Sequence, residues 1–167
     1  MRCATTCRIS LDRPPCGGRD FTLEESLIVV KVKVVHTKKM QFRGENEAGL
    51  TVTMDASPDF GGENAGLRPM ELLITSLGGC SAMDVVEILR KKRQEVTGYE
   101  INISGERAKE NPRVFTNIDV EHVVRGKNID PGAVERAVEL STDKYCSVMA
   151  MLKQSADIKV SFRVENE

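Results

Sequence analysis

The stretch Pro69-Met70-Glu71-Leu72-Leu73-Ile74-Thr75-Ser76-Leu77-Gly78-Gly79-Cys80-Ser81-Ala82-Met83-Asp84-Val85-Val86 decides how the rest of the chain is read. Its opening suits a helix N-terminus. Proline has no N–H to leave unpaired in the first turn, and the Glu71 carboxylate meets the positive end of the helix dipole. The helix is expected to run to about Gln94 and to stop before Gly98. From Leu72 to Met83 every residue is apolar or small, so the pattern predicts a helix buried on all faces. Gly78 and Gly79 each cost about 1 kcal/mol relative to alanine inside a helix. That cost is offset where another segment comes too close to admit a side chain, so the pair predicts a tight crossing, with Cys80 beside it.

On the N-terminal side the period is two. Val30, Val32 and Val34 alternate with Lys31 and Lys33, which is a half-buried strand. After a polar turn at His36-Thr37-Lys38-Lys39 come Met40 and Phe42. Beyond the turn Glu45-Asn46-Glu47-Ala48-Gly49, Leu50, Val52 and Met54 alternate with threonines. Ser57 to Leu67, with Pro58, Gly61, Gly62 and Gly66, reads as a loop. On the C-terminal side, Tyr99, Ile101 and Ile103, then Ile118 and Val120, mark two more strands. Asp130 as N-cap with Pro131 behind it opens a second helix reaching about Asp143. A third covers roughly Cys146 to Gln154, and Ile158, Val160, Phe162 and Val164 mark a last strand. The order β-β-β-α-β-β-α-α-β predicts an α+β fold with largely antiparallel sheet.

At 167 residues the chain is one domain, expected over 27–167, with an extension over 1–26 that carries Cys3, Cys7, Cys16 and Pro14-Pro15 but no apolar period. Lys+Arg number 24 against 25 Asp+Glu, so charge offers no case for a nucleic-acid or anionic-membrane partner. Aromatics are 4% with no tryptophan, too few for base-stacking platforms. The longest uncharged stretch, Leu72 to Met83, falls short of the ~20 residues of a membrane span. No apolar block of a secretory leader is visible at the start. An odd number of cysteines, five, argues against a disulfide framework of the secreted kind. The expectation is a cytoplasmic protein with reduced or reversibly oxidised thiols.

Two cysteines stand in structured contexts. Cys80 is either a small buried hydrophobe or a reactive thiol at a packed helix crossing. Cys146 follows Lys144 at the start of the third helix, where the dipole and the lysine would lower a thiol pKa; the alternative is again a core cysteine. The pair lies 66 positions apart, outside CxxC or zinc-ribbon spacing. Cys3, Cys7 and Cys16 match no zinc pattern, so neither metal nor cofactor is expected. His36 and His122 fall in phase with the inward residues of their strands and are expected to be partly buried.

The segments Pro69-Met70-Glu71-Leu72-Leu73, Leu77-Gly78-Gly79-Cys80, Met83-Asp84-Val85-Val86, Gly126-Lys127-Asn128-Ile129-Asp130-Pro131 and Lys144-Tyr145-Cys146-Ser147-Val148 resemble the OsmC/Ohr family, in its OsmC-like branch. The resemblance spans about Val29 to Val164. It implies an intertwined homodimer with long helices buried between two curved sheets. It further implies a thiol peroxidase acting on organic hydroperoxides in oxidative-stress defence, with Cys80 as peroxidatic thiolate, Cys146 as resolving thiol and an external dithiol as reductant. Family peroxidases place a glutamate and an arginine around the peroxidatic thiolate. Counted back from Cys80, the glutamate position holds Met70; Glu71 is the neighbouring candidate, turned by about 100°, and otherwise serves the helix N-terminus. Arg43, on an early strand, is the candidate arginine. The same resemblance allows a second class of function, a non-catalytic redox-sensing or small-ligand-binding protein on this fold. A purely structural dimer with buried cysteines is the third reading.

Overall fold

The computed structural model describes residues 28–167; the expected extension over 1–26 lies outside the described residues. Residues Val32–Glu167 form one compact unit. Three antiparallel strands come first: β1 (Val32–Lys38), β2 (Gln41–Asn46) and β3 (Thr51–Met54), in the order β1-β2-β3. A single 3-10 turn at Pro58–Phe60 leads to the long helix α1 (Pro69–Lys91). Then come β4 (Glu95–Arg107), β5 (Phe115–Lys127), α2 (Pro131–Leu140), a π-helical turn (Ser141–Tyr145), α3 (Ser147–Leu152) and β6 (Asp157–Asn166). The second sheet has the order β4-β5-β6. The α+β order read from the alternation stands. One pairing departs from the antiparallel plan: β6 lies parallel to β5, from Asn117↔Asp157 to Gly126↔Asn166. The helical crossover through α2 and α3 makes this possible, since parallel neighbours need a connection of a dozen residues or more.

α1 begins where the proline and the carboxylate predict. The Arg68 N–H donates to Glu71 Oε2 at 2.9 Å, and its guanidinium to Oε1 at 2.7 Å, closing the first turn. The helix ends at Lys91, earlier than Gln94. Arg93 takes a left-handed φ of 57°, and the Gln94 N–H returns to the Leu89 carbonyl at 3.1 Å. Gly98 therefore sits inside β4, where the register shifts between Val96 and Gly98. Asp130 caps α2 as expected, accepting from the Gly132 N–H at 3.0 Å.

Leu77, Ser81, Val85 and Leu89, one helical turn apart, are fully buried. Leu77 joins Phe115, Ile118, Val120, Cys146 and Met149 in one apolar cluster. Val85 and Leu89 join Val124, Val134 and Ala137 in another. Gly78 explains itself: a Cβ there would stand 3.0 Å from Ile103 Cδ1 and 3.3 Å from Ile101 Cγ2. Gly79 does not, because its missing side chain would point into open space.

Three expectations need correction. α1 is not buried on all faces within one chain: Met83 is 76% exposed and Val86 is exposed as well, because β4, α2 and α3 cover one side only. By length and composition α1 is also apolar enough to cross a membrane, with a mean hydropathy of 1.6 over its best window. Counting only the uncharged run missed this, since the apolar character continues past Asp84. The third concerns His36. It is exposed, bonded through Nε2 to the Lys39 carbonyl and packed edgewise near Phe42. Among the described residues, none covers the face of β1 that carries Val32, Val34 and His36.

Candidate functional site

The site grows from one face of α1. Cys80 and Asp84 are four residues apart, so they stack on the same side of the helix, one turn from each other. The π-helical turn after α2 brings a third group to them. The Cys146 N–H closes that turn on the Ser141 carbonyl at 2.9 Å, and Cys146 then caps α3, its Sγ accepting from the Met149 N–H at 3.4 Å. Such insertions in helical segments often mark functional sites. Here the insertion aims Cys146 back at α1. The Cys80 and Cys146 sulfurs and an Asp84 carboxylate oxygen all lie within 4.8 Å of one another. Both cysteines are free thiols.

Polar groups hold the carboxylate in place. The Ser141 hydroxyl donates to Asp84 Oδ2 at 3.1 Å, and the Ser81 hydroxyl lies 3.0 Å from that of Ser141. Both serines are fully buried. Beside Asp84 a cleft of about 380 Å³ opens between Met83, Glu87, Ile88, Leu140 and Tyr145. A second, of about 400 Å³, runs along Gly78 and Gly79 past Ile74 and Ile101.

The expected lowering of the Cys146 pKa does not occur. Burial pushes the thiol up to about 11, helped by the hydrogen bond with Cys80 and the negative charge of Asp84; only the Met149 N–H pulls the other way. Lys144 does not offset this: its ammonium sits over the Tyr145 ring, 5.4 Å from the centroid. α3 spans six residues, too few for a strong dipole. Among the described residues, no cation is one of the groups that move Cys146. A protonated thiol among three donors also falls short of a closed structural zinc set, which needs four ligands with deprotonated sulfur.

Of the residues singled out in the sequence, Cys80 and Cys146 come together; Glu71 and Arg43 do not join them. Glu71 is bound to Arg68, which holds its carboxyl below the usual carboxylate range. Nine residues of helix separate it from Cys80, about 13.5 Å of rise and half a turn of rotation. Met70 packs against the apolar cluster that contains Cys146. Arg43 is on β2, between Val35 and Thr53 of the neighbouring strands, half-exposed and 3.9 Å from Glu45. That strand belongs to the other sheet from the one α1 packs on.

Sequence reasoning missed Asp84 and Ser141. Asp84 had a usable signal, as the first charge after the apolar run and at position i+4 from Cys80. Ser141 had none, because its place depends on the π-helical turn. In the second sheet His122 is fully buried on β5, with Nδ1 hydrogen-bonded to the Tyr99 hydroxyl and Nε2 without a partner among the described residues.

A thiol pair meeting across a long central helix, on this two-sheet frame, points to a known class. The family model described as OsmC-like protein matches residues 61–161, and the chain belongs to that family. Protein YhfA of Escherichia coli is 40% identical over 135 residues, covering 81% of this chain and 98% of YhfA. The crystal structure of a hypothetical protein from Aquifex aeolicus is 38% identical, with a TM-score of 0.75 over 84% of this chain and 99% of that one. The organic hydroperoxide resistance protein OhrB of Bacillus subtilis shares the fold alone, at 18% identity and a TM-score of 0.56 over 83% of this chain and 100% of its own.

Proposed function

We propose that this chain is a homodimeric, cysteine-based peroxidase that reduces organic hydroperoxides in a reducing, cytoplasmic setting. One observation carries the reading: two free thiols, 66 positions apart in sequence, face each other within 4.8 Å. The Cys80 thiolate attacks the distal peroxide oxygen, an alcohol leaves, and Cys80 becomes a sulfenic acid. Cys146 condenses with it, water leaves, and the gap closes to the ~2.05 Å of an S–S bond by side-chain rotation. An external dithiol then restores both thiols by exchange. Similarity of fold to a protein named for organic hydroperoxide resistance supports the substrate class.

The test is a one-equivalent pulse of cumene hydroperoxide followed by peptide mapping. The expected product is a Cys80–Cys146 disulfide within one subunit. Cys80 left as a free thiol, with Cys3, Cys7 or Cys16 oxidised instead, overturns the reading.

The dimer is supported by what one chain leaves uncovered. Met83 and Val86 on α1 and Val32 and Val34 on β1 are exposed apolar side chains, and Gly79 opens onto free space, faces that a second copy would cover. Sedimentation at micromolar concentration should give the mass of two chains. A monomer with full secondary structure would sink the proposal of a dimer.

A second reading, a redox sensor or ligand-binding protein without efficient turnover, is favoured by Met70 standing where the resemblance places a glutamate. Turnover in excess dithiol decides between them. A peroxidase keeps consuming peroxide; a sensor forms the Cys80–Cys146 disulfide once and stops.

A further inference from the structure

The proposed cycle leaves the resolving thiol in a difficult position. Cys146 is 2% exposed, and its thiol is pushed up to about 11. Burial and the Asp84 charge thus hold Cys146 as the thiol at neutral pH, whereas the thiolate is the form that attacks. Closure is slow unless a base takes the proton as the sulfur attacks.

Asp84 is placed to take it. Its carboxylate lies within 4.8 Å of both sulfurs, on the helical turn after Cys80. Ser141 ties base and thiol into one unit: its hydroxyl donates to Asp84 while its carbonyl accepts the Cys146 N–H. Other titratable groups nearby are committed elsewhere or neutral. Glu87, on the same cleft, pairs with Arg90 at 2.8 Å and with Lys91 at 3.3 Å, Asp143 pairs with Lys153 at 3.1 Å, and Lys144 covers the Tyr145 ring. From the sheet side, burial holds His122 neutral at pH 7, with its pKa at about 4, and pushes the Tyr99 hydroxyl up.

We propose that Asp84 is the general base of the resolving step, carrying the proton from Cys146 to the oxygen that leaves Cys80. The inference rests on the peroxidase reading for its physiological meaning. In the step, Cys146 Sγ bonds to Cys80 Sγ while its proton passes to Asp84. The S–O bond of the sulfenic acid breaks with its electron pair on oxygen. Asp84 returns the proton to that oxygen, so one water leaves and the carboxylate is regenerated. The Cys146 sulfur is oxidised and the Cys80 sulfur reduced, each ending in the disulfide. The cleft of about 380 Å³ beside Asp84 gives the water a way out.

Two measurements on Asp84→Asn test this. In the first, reduced protein is mixed with cumene hydroperoxide and quenched into dimedone, so that mass spectrometry follows sulfenic acid and disulfide together. The second uses no peroxide. In a full-length chain with Cys3, Cys7 and Cys16 replaced by serine, Cys80 is loaded as a mixed disulfide with thionitrobenzoate. Attack by Cys146 expels a coloured thiolate that needs no proton to leave. Asp84→Asn should slow closure by about 10²-fold or more at pH 7 in both. The deficit should shrink about tenfold per pH unit as the pH rises toward the range of Cys146 itself, and Asp84→Glu should retain most of the rate. Closure of the mixed disulfide at the wild-type rate, or a loss that alkaline pH does not restore, overturns the assignment. If peroxide leaves Cys80 unoxidised while closure of the mixed disulfide still depends on Asp84, the peroxidase reading fails. The proton role then stands for thiol–disulfide exchange.

Discussion

Cys80→Ser is expected to remove peroxide consumption altogether, while Cys146→Ser stops after one equivalent and leaves a trappable sulfenic acid on Cys80. The two thiols face each other but differ in surroundings. Cys80 is partly exposed on α1, along the helix from the cleft beside Gly78 and Gly79; Cys146 is sealed in the core. An oxidant from solvent reaches the first more readily, so the proposed cycle starts at Cys80. Serine there offers an alcohol, which does not attack a peroxide at neutral pH. Serine at 146 is expected to be well tolerated structurally. Cys146 already caps α3 by accepting from the Met149 N–H, and serine is among the preferred N-caps. Loss of turnover in that variant then reports on chemistry. The sulfenic acid persists because its partner is gone, and it either reacts with dimedone or climbs to the sulfinic acid with excess peroxide. Stopped-flow measurement of the first turnover should give similar rates for Cys146→Ser and wild type, with dithiol-driven turnover lost only in the variant. Sustained turnover of Cys146→Ser at the wild-type rate would remove Cys146 from the mechanism.

Acid should destabilise the fold through His122. Its ring is fully buried between β4 and β6, opposite Ile101 and Phe162, and burial lowers its pKa from the ordinary 6.5 to about 4. The unfolded chain therefore binds a proton below pH 6.5 that the folded chain refuses until about pH 4. Stability from this group is fully present above pH 6.5 and is lost as the pH falls through that window. The size is on the order of 3 kcal/mol, or roughly 6–12 °C of melting temperature for a domain of this size. His122→Gln removes the titration while keeping a polar group near the Tyr99 hydroxyl. Carboxylates held low by their partners, such as Glu71 and Glu100, act equally on both proteins and cancel in the difference. Denaturant unfolding from pH 7 to pH 4 should show the wild type losing about 3 kcal/mol more than the variant. Parallel curves would show that His122 is not held neutral by the fold.

Much of the frame was readable because it depends on local periodicity. Alternating apolar residues marked all six strands, Met40 and Phe42 among them, and Pro69, Glu71, Asp130 and Pro131 placed two helix starts. Each signal acts within a few residues, where steric and capping preferences decide. Helix ends were read less well. Gly98 looked like a stop, but α1 ends through the left-handed Arg93, a choice that follows from the pull of Leu89 into the core and the start of β4. His36 and His122 looked alike, both in phase with apolar neighbours. One is exposed and one fully buried, because α1 covers the second sheet and, among the described residues, none covers that face of the first.

The sequence by itself determined the α+β order, a helix too apolar to stand free and two cysteines in contexts that resemble one family. Those properties reside in the residues and their nearest neighbours along the chain. It did not determine that the two sulfurs meet. That required the docking of the π-helical turn on Ser81 and Asp84 of α1, the parallel docking of β6 and the seating of Gly78 on Ile101 and Ile103, each a contact between segments tens of residues apart. The same tertiary packing reversed the electrostatics of Cys146. A short helix and a nearby lysine suggested a lowered thiol pKa, yet desolvation in the core and the Asp84 carboxylate raise it. Burial acts on a charge from all directions at once, and the number of apolar groups around a sulfur is set by the fold and not by its sequence neighbours.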